Sequence, residues 1–233
     1  MLPNEFSSSP ARVSGMDVGL RSHMQRIYNR MTVGVLITAL VSFYIGHNEE
    51  LLRVIFGTPL KWVVMLAPLA IVMFGFNPAR MSSGALRLSF IALSVLYGVS
   101  FGAIFAVYTG ESIAKAFFVA TSMFAGISIF GYTTKKDLSA MGSFAVMGMI
   151  GVLVLSLINI FVASSLMSNV IAGVGILAFG GMTAWETQRM KEMYSSRDNE
   201  EMASRMSWAA ALNLYISFIA MFQYVLHFMG QRN

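Results

Sequence analysis

The sequence predicts an all-α membrane protein, a bundle of seven transmembrane helices, and three observations carry that prediction. Apolar side chains make up 56% of the 233 residues against 12% charged ones, and the mean hydropathy is +0.67. A soluble domain carries about 25% charged residues, so this chain lacks the ionic surface that a water-facing core needs. The apolar residues fall into seven runs, and crossing a hydrocarbon core about 30 Å thick takes roughly 20 such residues in a helix. Connections between the runs are short, which leaves no room for a separate soluble domain. This composition excludes a soluble globular enzyme and a disordered tail. It also argues against nucleic-acid binding, because the net charge of +5 lies in loops between apolar runs rather than in a patch with interleaved aromatics.

Residues 1–30 are mostly polar and read as a cytoplasmic N-terminal tail, with residues 31–233 forming one seven-helix domain. The first run, 31–46, can extend back toward Tyr28; no A-x-A cleavage pattern follows it, so it reads as a retained helix and not a signal peptide. The second, 60–76, ends at Asn77 and Pro78. The third, 86–109, carries Ser94, Gly98, Gly102 and Ala106 at every fourth position, a ridge that lets two helix backbones approach in lipid. Packing inside the bundle is the expected use of that ridge, ahead of a homodimer surface. The fourth run is 113–132. The fifth, 140–162, has Gly148, Gly151 and an amide, Asn159, near its outer end; the sixth, 168–186, has Ser168, Ala172 and Gly175. On the seventh, 206–229, Asn213 and Ser217 stand four apart and Ala220 and Tyr224 continue their face.

Loop lysines and arginines predict the orientation. With the N-terminus in the cytoplasm, 12 of them lie inside: Arg12, Arg21, Arg26, Arg30, Arg80, Arg87, Lys135, Lys136, Arg189, Lys191, Arg197 and Arg205. Only 4 lie outside, namely Arg53, Lys61, Lys115 and Arg232. The prediction is therefore N-terminus in and C-terminus out; a re-entrant seventh run would return the C-terminus to the cytoplasm.

Candidate chemistry is sparse. There is no cysteine, no HExxH and no GxSxG, and His23, His47 and His227 are scattered over the tail, an outer loop and the last helix. Ser112 and Lys115 match S-x-x-K, but in a short outer loop. The expectation is a protein that is not an enzyme and holds no cofactor. Polar groups inside a bilayer need partners, which directs attention to Glu186 at the end of the sixth run, with Arg189 three residues on and able to pair locally. Arg80, after Asn77 and Pro78, can turn inward toward Glu186, whereas Arg87 reads as a topology anchor. The face of Asn213 and Ser217 is expected to point inward, either as interhelical hydrogen bonds or as a polar pathway. The charged segment 187–205, with Ser195, Ser196 and Asn199, reads as a solvated loop, or else as a docking surface.

The stretch from Phe124 to Ser143, FAGISIFGYTTKKDLSAMGS, resembles that of the transmembrane Bax inhibitor motif family, particularly its bacterial branch. Leu60, Lys61 and Trp62 before the second helix, Trp185 to Gln188 at the end of the sixth, and Leu214 to Ile219 in the seventh agree. The resemblance runs from about Met31 onward. It implies a bundle with the C-terminal helix at its centre, and activity as a calcium leak or as a modulator of a membrane AAA protease. The family's leak uses two aspartates, in the sixth and seventh helices, and an arginine at the end of the second. Here those positions hold Glu186, Ser217 and Arg80. Without a second carboxylate the proton-sharing pair cannot form, and Glu186 with Ser217 and Asn213 makes a thin set for an ion that takes six or more oxygens.

The resulting expectation is a calcium or other cation leak in a bacterial inner membrane, with weakened or absent pH gating. Glu186 and Arg80 would form the latch, Ser217 and Asn213 the polar lining, and calcium would be bound only in transit. The alternative is a non-transporting regulator that binds a membrane protease or another membrane partner.

Overall fold

Capping side chains set most helix starts in the computed structural model, which describes residues 10–195 and 199–232, with side chains from Val18 onward. Residues 1–9 of the expected tail, Ser196, Arg197 and the side chain of Arg12 lie outside these. The order is α1 Pro10–Gly46, α2 Glu49–Phe56, α3 Leu60–Ala70, α4 Ser83–Phe101, a single turn α5 Ile104–Val107, α6 Gly110–Thr133, α7 Ser139–Val162, α8 Ser165–Glu192 and α9 Glu200–Met229. Asn48, Ser82, Thr109, Ser164 and Asn199 each take the backbone N–H three residues on, at the starts of α2, α4, α6, α8 and α9. Each satisfies a donor that the first turn would otherwise leave bare.

Six stretches are long and apolar enough to cross a membrane: Val18–Gly46, Ser83–Val107, Gly110–Thr133, Ser139–Val162, Ser165–Glu192 and Glu200–Met229. The second apolar run behaves differently. It is a pair, Glu49–Phe56 and Leu60–Gly75, bent by 80°, and α3 widens into a π turn, Ile71–Gly75, just past Pro68, which has no N–H to give. The chain must nonetheless change ends here. His47 lies against Phe105 at one end, with ring centroids 5.2 Å apart. At the other, basic end the Pro78 carbonyl accepts a hydrogen bond from Arg205 Nε at 2.9 Å. Counted as one broken span, the bent pair brings the crossings from six to seven.

The centre of the bundle is α9. Buried residues make up 61% of its most apolar window, against 11% for α7, and α8, α1, α6 and α4 pack around it. Phe90 and Leu93 of α4, Phe124 of α6, and Leu214, Tyr215, Phe218 and Met221 of α9 form the core. α7 packs on α8 rather than on α9.

Two sequence expectations about the fold change, and one alternative is decided. α1 starts at Pro10, so the described part of the expected tail is helix: Met24 and Ile27 are buried in the core on the same stripe as Met31 and Val35, and the His23 ring lies 5.5 Å from Tyr194. That stripe is only one residue wide, and the arginines beside it mask it. The third run breaks after Phe101 and resumes as α5. The seventh run is one continuous helix between the two ends of the bundle, as expected. Glu201 binds Ser83 at the basic end, while at the far end Arg232 bridges Tyr108 and the Thr109 N–H reaches the Gln231 carbonyl at 3.2 Å.

The small-residue ridge on α4 is used inside the chain. A side chain at Gly98 would stand 2.6 Å from Val41 Cβ, and Gly102 abuts Ile45, so α4 lies against α1 nearly backbone to backbone.

Candidate functional site

α8 and α9 bring two of the predicted residues together. Glu186 is 8% exposed and Ser217 is 2% exposed, and the Ser217 hydroxyl donates to Glu186 Oε2 at 3.1 Å. Small residues set the rotation of α8 that makes this contact. Gly131 of α6 lies directly against the Ala184 carbonyl, and Gly142 of α7 sits under the Trp185 ring. Thr183 and Thr187 flank Glu186 and are fully buried; Thr183 Oγ1 donates to the Phe179 carbonyl at 2.8 Å, and Thr187 Oγ1 lies 3.4 Å from the Tyr28 hydroxyl.

Beside the carboxylate, Gln188 clamps the α6–α7 connection. Its Oε1 accepts the Leu138 N–H and its Nε2 donates to the Lys136 carbonyl, both at 2.8 Å. The segment from Phe124 to Ser143 and the segment from Trp185 to Gln188, far apart in sequence, thus meet at one end of the bundle. Within that connection Asp137 takes the backbone N–H of Ser139 at 2.8 Å, and hydrogen bonds from the Ser139 side chain and backbone hold its carboxyl below the ordinary aspartate range.

The other predicted partners are elsewhere. Arg80 is exposed in the turn after α3, and among the described residues no ion pair joins it to Glu186. The connection before α4 is held instead from α9: Arg205 donates through Nε and a terminal nitrogen to the Pro78 carbonyl, and the Glu201 carboxylate takes the Ser83 N–H at 2.7 Å and its hydroxyl at 2.6 Å. Arg189 does not pair with Glu186 either; it lies 5.1 Å over the Trp185 ring. Asn213 is exposed although Ser217 is buried. Residues four apart are offset by about 40° around a helix of 3.6 residues per turn, and Asn213 falls just beyond the covered face. Asn159 closes the α7–α8 turn, donating to Ser168 Oγ at 2.7 Å and accepting the Ser164 N–H at 3.0 Å.

Two further polar clusters also escaped the sequence reading. At the heart of the bundle the Tyr215 hydroxyl, fully buried, lies 2.7 Å from Thr38 Oγ1, which in turn lies 2.9 Å from the Ser94 carbonyl. The threonine has one proton to give, so when it donates to a carbonyl the tyrosine donates to it. Nearer the basic end, Arg30 donates to the carbonyl and hydroxyl of Ser204 at 2.7 and 3.0 Å, and its guanidinium lies 4.1 Å over Trp208. A signal existed for Arg30: it lies one residue before the first apolar run, where a long side chain must choose between water and a neighbouring helix.

Chemically, the site offers one carboxylate with one hydroxyl donor. Among the described residues no group of three His, Cys, Asp or Glu converges as a metal set would. What Glu186 can do is hold or release a proton at its carboxylate and so make or break the contact that joins α8 to α9.

Comparison with known proteins places this arrangement in a lineage. The family described as Inhibitor of apoptosis-promoting Bax1 matches residues 20–233. Similar proteins include a Caulobacter vibrioides protein, 39% identical over 92% of this chain and 90% of its own. The inner membrane protein YbhL of Escherichia coli is 34% identical over 92% and 93%, and a membrane protein of Streptococcus pyogenes is 30% identical over 93% and 96%. With a family match across nearly the whole chain and helices that account for it as a multi-pass bundle, this is an integral membrane protein belonging to the Bax inhibitor family.

Proposed function

We propose that the protein is a leak pathway for calcium or a related cation in a bacterial inner membrane, with its N-terminus in the cytoplasm and its C-terminus outside. The observation that carries the reading is the Glu186–Ser217 contact: a buried carboxylate at the interface between α8 and the central helix, held by one hydroxyl at 3.1 Å. Buried ionisable groups in membrane helices are expensive and mark ion or proton paths. Release of Ser217 frees the carboxylate to face a passing cation, and because Glu186 has a serine opposite it where the family has a second carboxylate, the two-proton latch is absent. Support for the orientation is the gathering of Arg80, Arg87, Lys135 and Lys136 at the end where Glu186 lies, and the location of YbhL supports the membrane.

The test is calcium flux in proteoliposomes at acidic and neutral pH. The expected result is flux above empty liposomes, reduced several-fold by Glu186→Gln and without a steep two-proton pH dependence. No flux above empty liposomes, or flux unchanged in Glu186→Gln, overturns the proposal.

A second reading, a non-transporting regulator of a membrane protease or other membrane protein, is favoured by one observation: Arg80 and Asn213 do not reach Glu186, which leaves few oxygens for a divalent ion. Its surface would be the exposed Arg80, Lys135 and Lys136 at the basic end. Cross-linking of a membrane AAA protease that is lost on reversing these charges, with flux absent, supports this reading over the first.

A further inference from the structure

Although α1 and α6 both lean on α9, they do not pack on each other, and the gap between them is a lateral groove. Its half toward the basic end has a volume of about 670 Å³, within the range of roughly 300–1,000 Å³ typical of ligand cavities. Phe117 and Phe124 of α6 and Phe218 of α9 make its apolar depth, and Arg21, Gln25 and Asn29 of α1 with Tyr132 of α6 make its mouth. The lining residues include a cation and no carboxylate. A second cation stands at the rim: Lys191 Nζ lies 5.6 Å from the Tyr132 ring and donates to the Tyr132 carbonyl at 2.8 Å.

An independent observation points to a ligand. Ser128 lines the groove and is 6% exposed, and its hydroxyl oxygen, turned away from solvent, has no hydrogen-bond partner among the described residues. A helical serine ordinarily satisfies itself on the carbonyl four residues back, and a buried hydroxyl left bare is costly. Ser128 lies one turn below Tyr132, about 6 Å deeper along the helix axis.

We infer that this groove holds an anionic phospholipid, its phosphate between Arg21 and Lys191, an ester carbonyl accepting from Ser128 once rotation about χ1 turns its hydroxyl to the groove, and an acyl chain against Phe117, Phe124 and Phe218. The order of chemistry from mouth to floor, cation then hydroxyl donor then aromatic wall, is the order of phosphate, ester and hydrocarbon in such a lipid. The groove opens sideways, where lipid chains are and where water-borne ligands are not. Glu186 is not among the lining residues, and the inference stands or falls independently of the leak.

The test uses full-length protein in nanodiscs of phosphatidylcholine doped with phosphatidylglycerol, released into mild detergent and measured by native mass spectrometry. Wild type is expected to retain phosphatidylglycerol in preference to phosphatidylcholine. Ala125→Trp, which fills the groove from an exposed position on α6, should abolish retention. Arg21→Gln, on the exposed face of α1 where folding is not at stake, should cut the preference for phosphatidylglycerol at least several-fold. Retention unchanged in both variants, or a dimer that Ala125→Trp converts to monomer with lipid content unaltered, overturns the inference.

Discussion

Asp137 and Arg205 show how differently two charged residues at the same end of the bundle are used. The Asp137 carboxyl is held below the ordinary aspartate range by Ser139, so its contact is fully formed above the ordinary carboxylate pKa and is lost only as pH falls through the lowered one. Ser139→Ala should move the Asp137 titration back up toward the ordinary value, read by NMR of a carboxyl-labelled protein. Arg205 donates to the Pro78 carbonyl, whereas Arg80 projects from the same turn into solvent. Hydrogen bonds from charged groups contribute about 1.5–3 kcal/mol, and surface changes away from such contacts stay within about 0.5 kcal/mol. Thermal unfolding in detergent should therefore show Arg205→Ala clearly destabilised and Arg80→Ala near wild type. Arginine at a helix end was legible from the sequence; which arginine the neighbouring carbonyl would capture was not.

Two of the glycines of helix α6 have opposite roles. Gly126 has nothing within 4 Å of where a side chain would begin, whereas Gly131 lies against the backbone of Ala184 on α8. Alanine removes glycine's helix penalty of about 1 kcal/mol, so Gly126→Ala should be neutral or stabilising. Gly131→Ala must push α6 from α8, at a cost of about 1–3 kcal/mol for overpacking, and it should also disturb Glu186 two residues along. Unfolding midpoints of the two variants check the first effect, and the liposome flux checks the second. The sequence marked the spacing of small residues on α4, α7 and α8 as packing surfaces, and Gly98 against Val41 and Gly175 against Tyr224 are such contacts. It did not mark Gly131, which has no small partner at the fourth position on either side.

Across the bundle, the proposed topology has an odd number of crossings, which puts the two ends of the chain on opposite faces. A reporter fused after Asn233 should be active only if it requires the non-cytoplasmic compartment, and one fused to the N-terminus only if it requires the cytoplasm. Activity of both fusions in the same compartment would contradict the crossing made by α2 and α3. The family resemblance anticipated a central last helix, and α9 is that helix because its buried residues face four neighbours at once.

Composition and apolar run lengths were enough to establish an all-helical membrane bundle, because a hydrocarbon core demands internally bonded backbone of a minimum length whatever the neighbours are. The residues of the motifs were enough to indicate the family. Pairing was different. That Glu186 meets Ser217 while Asn213 and Arg80 stay outside, that Tyr215 meets Thr38, and that α1 and α6 leave a groove between them all depend on helix rotation and separation. Those quantities are set by where small residues let backbones close, a property of facing helices that no single helix carries.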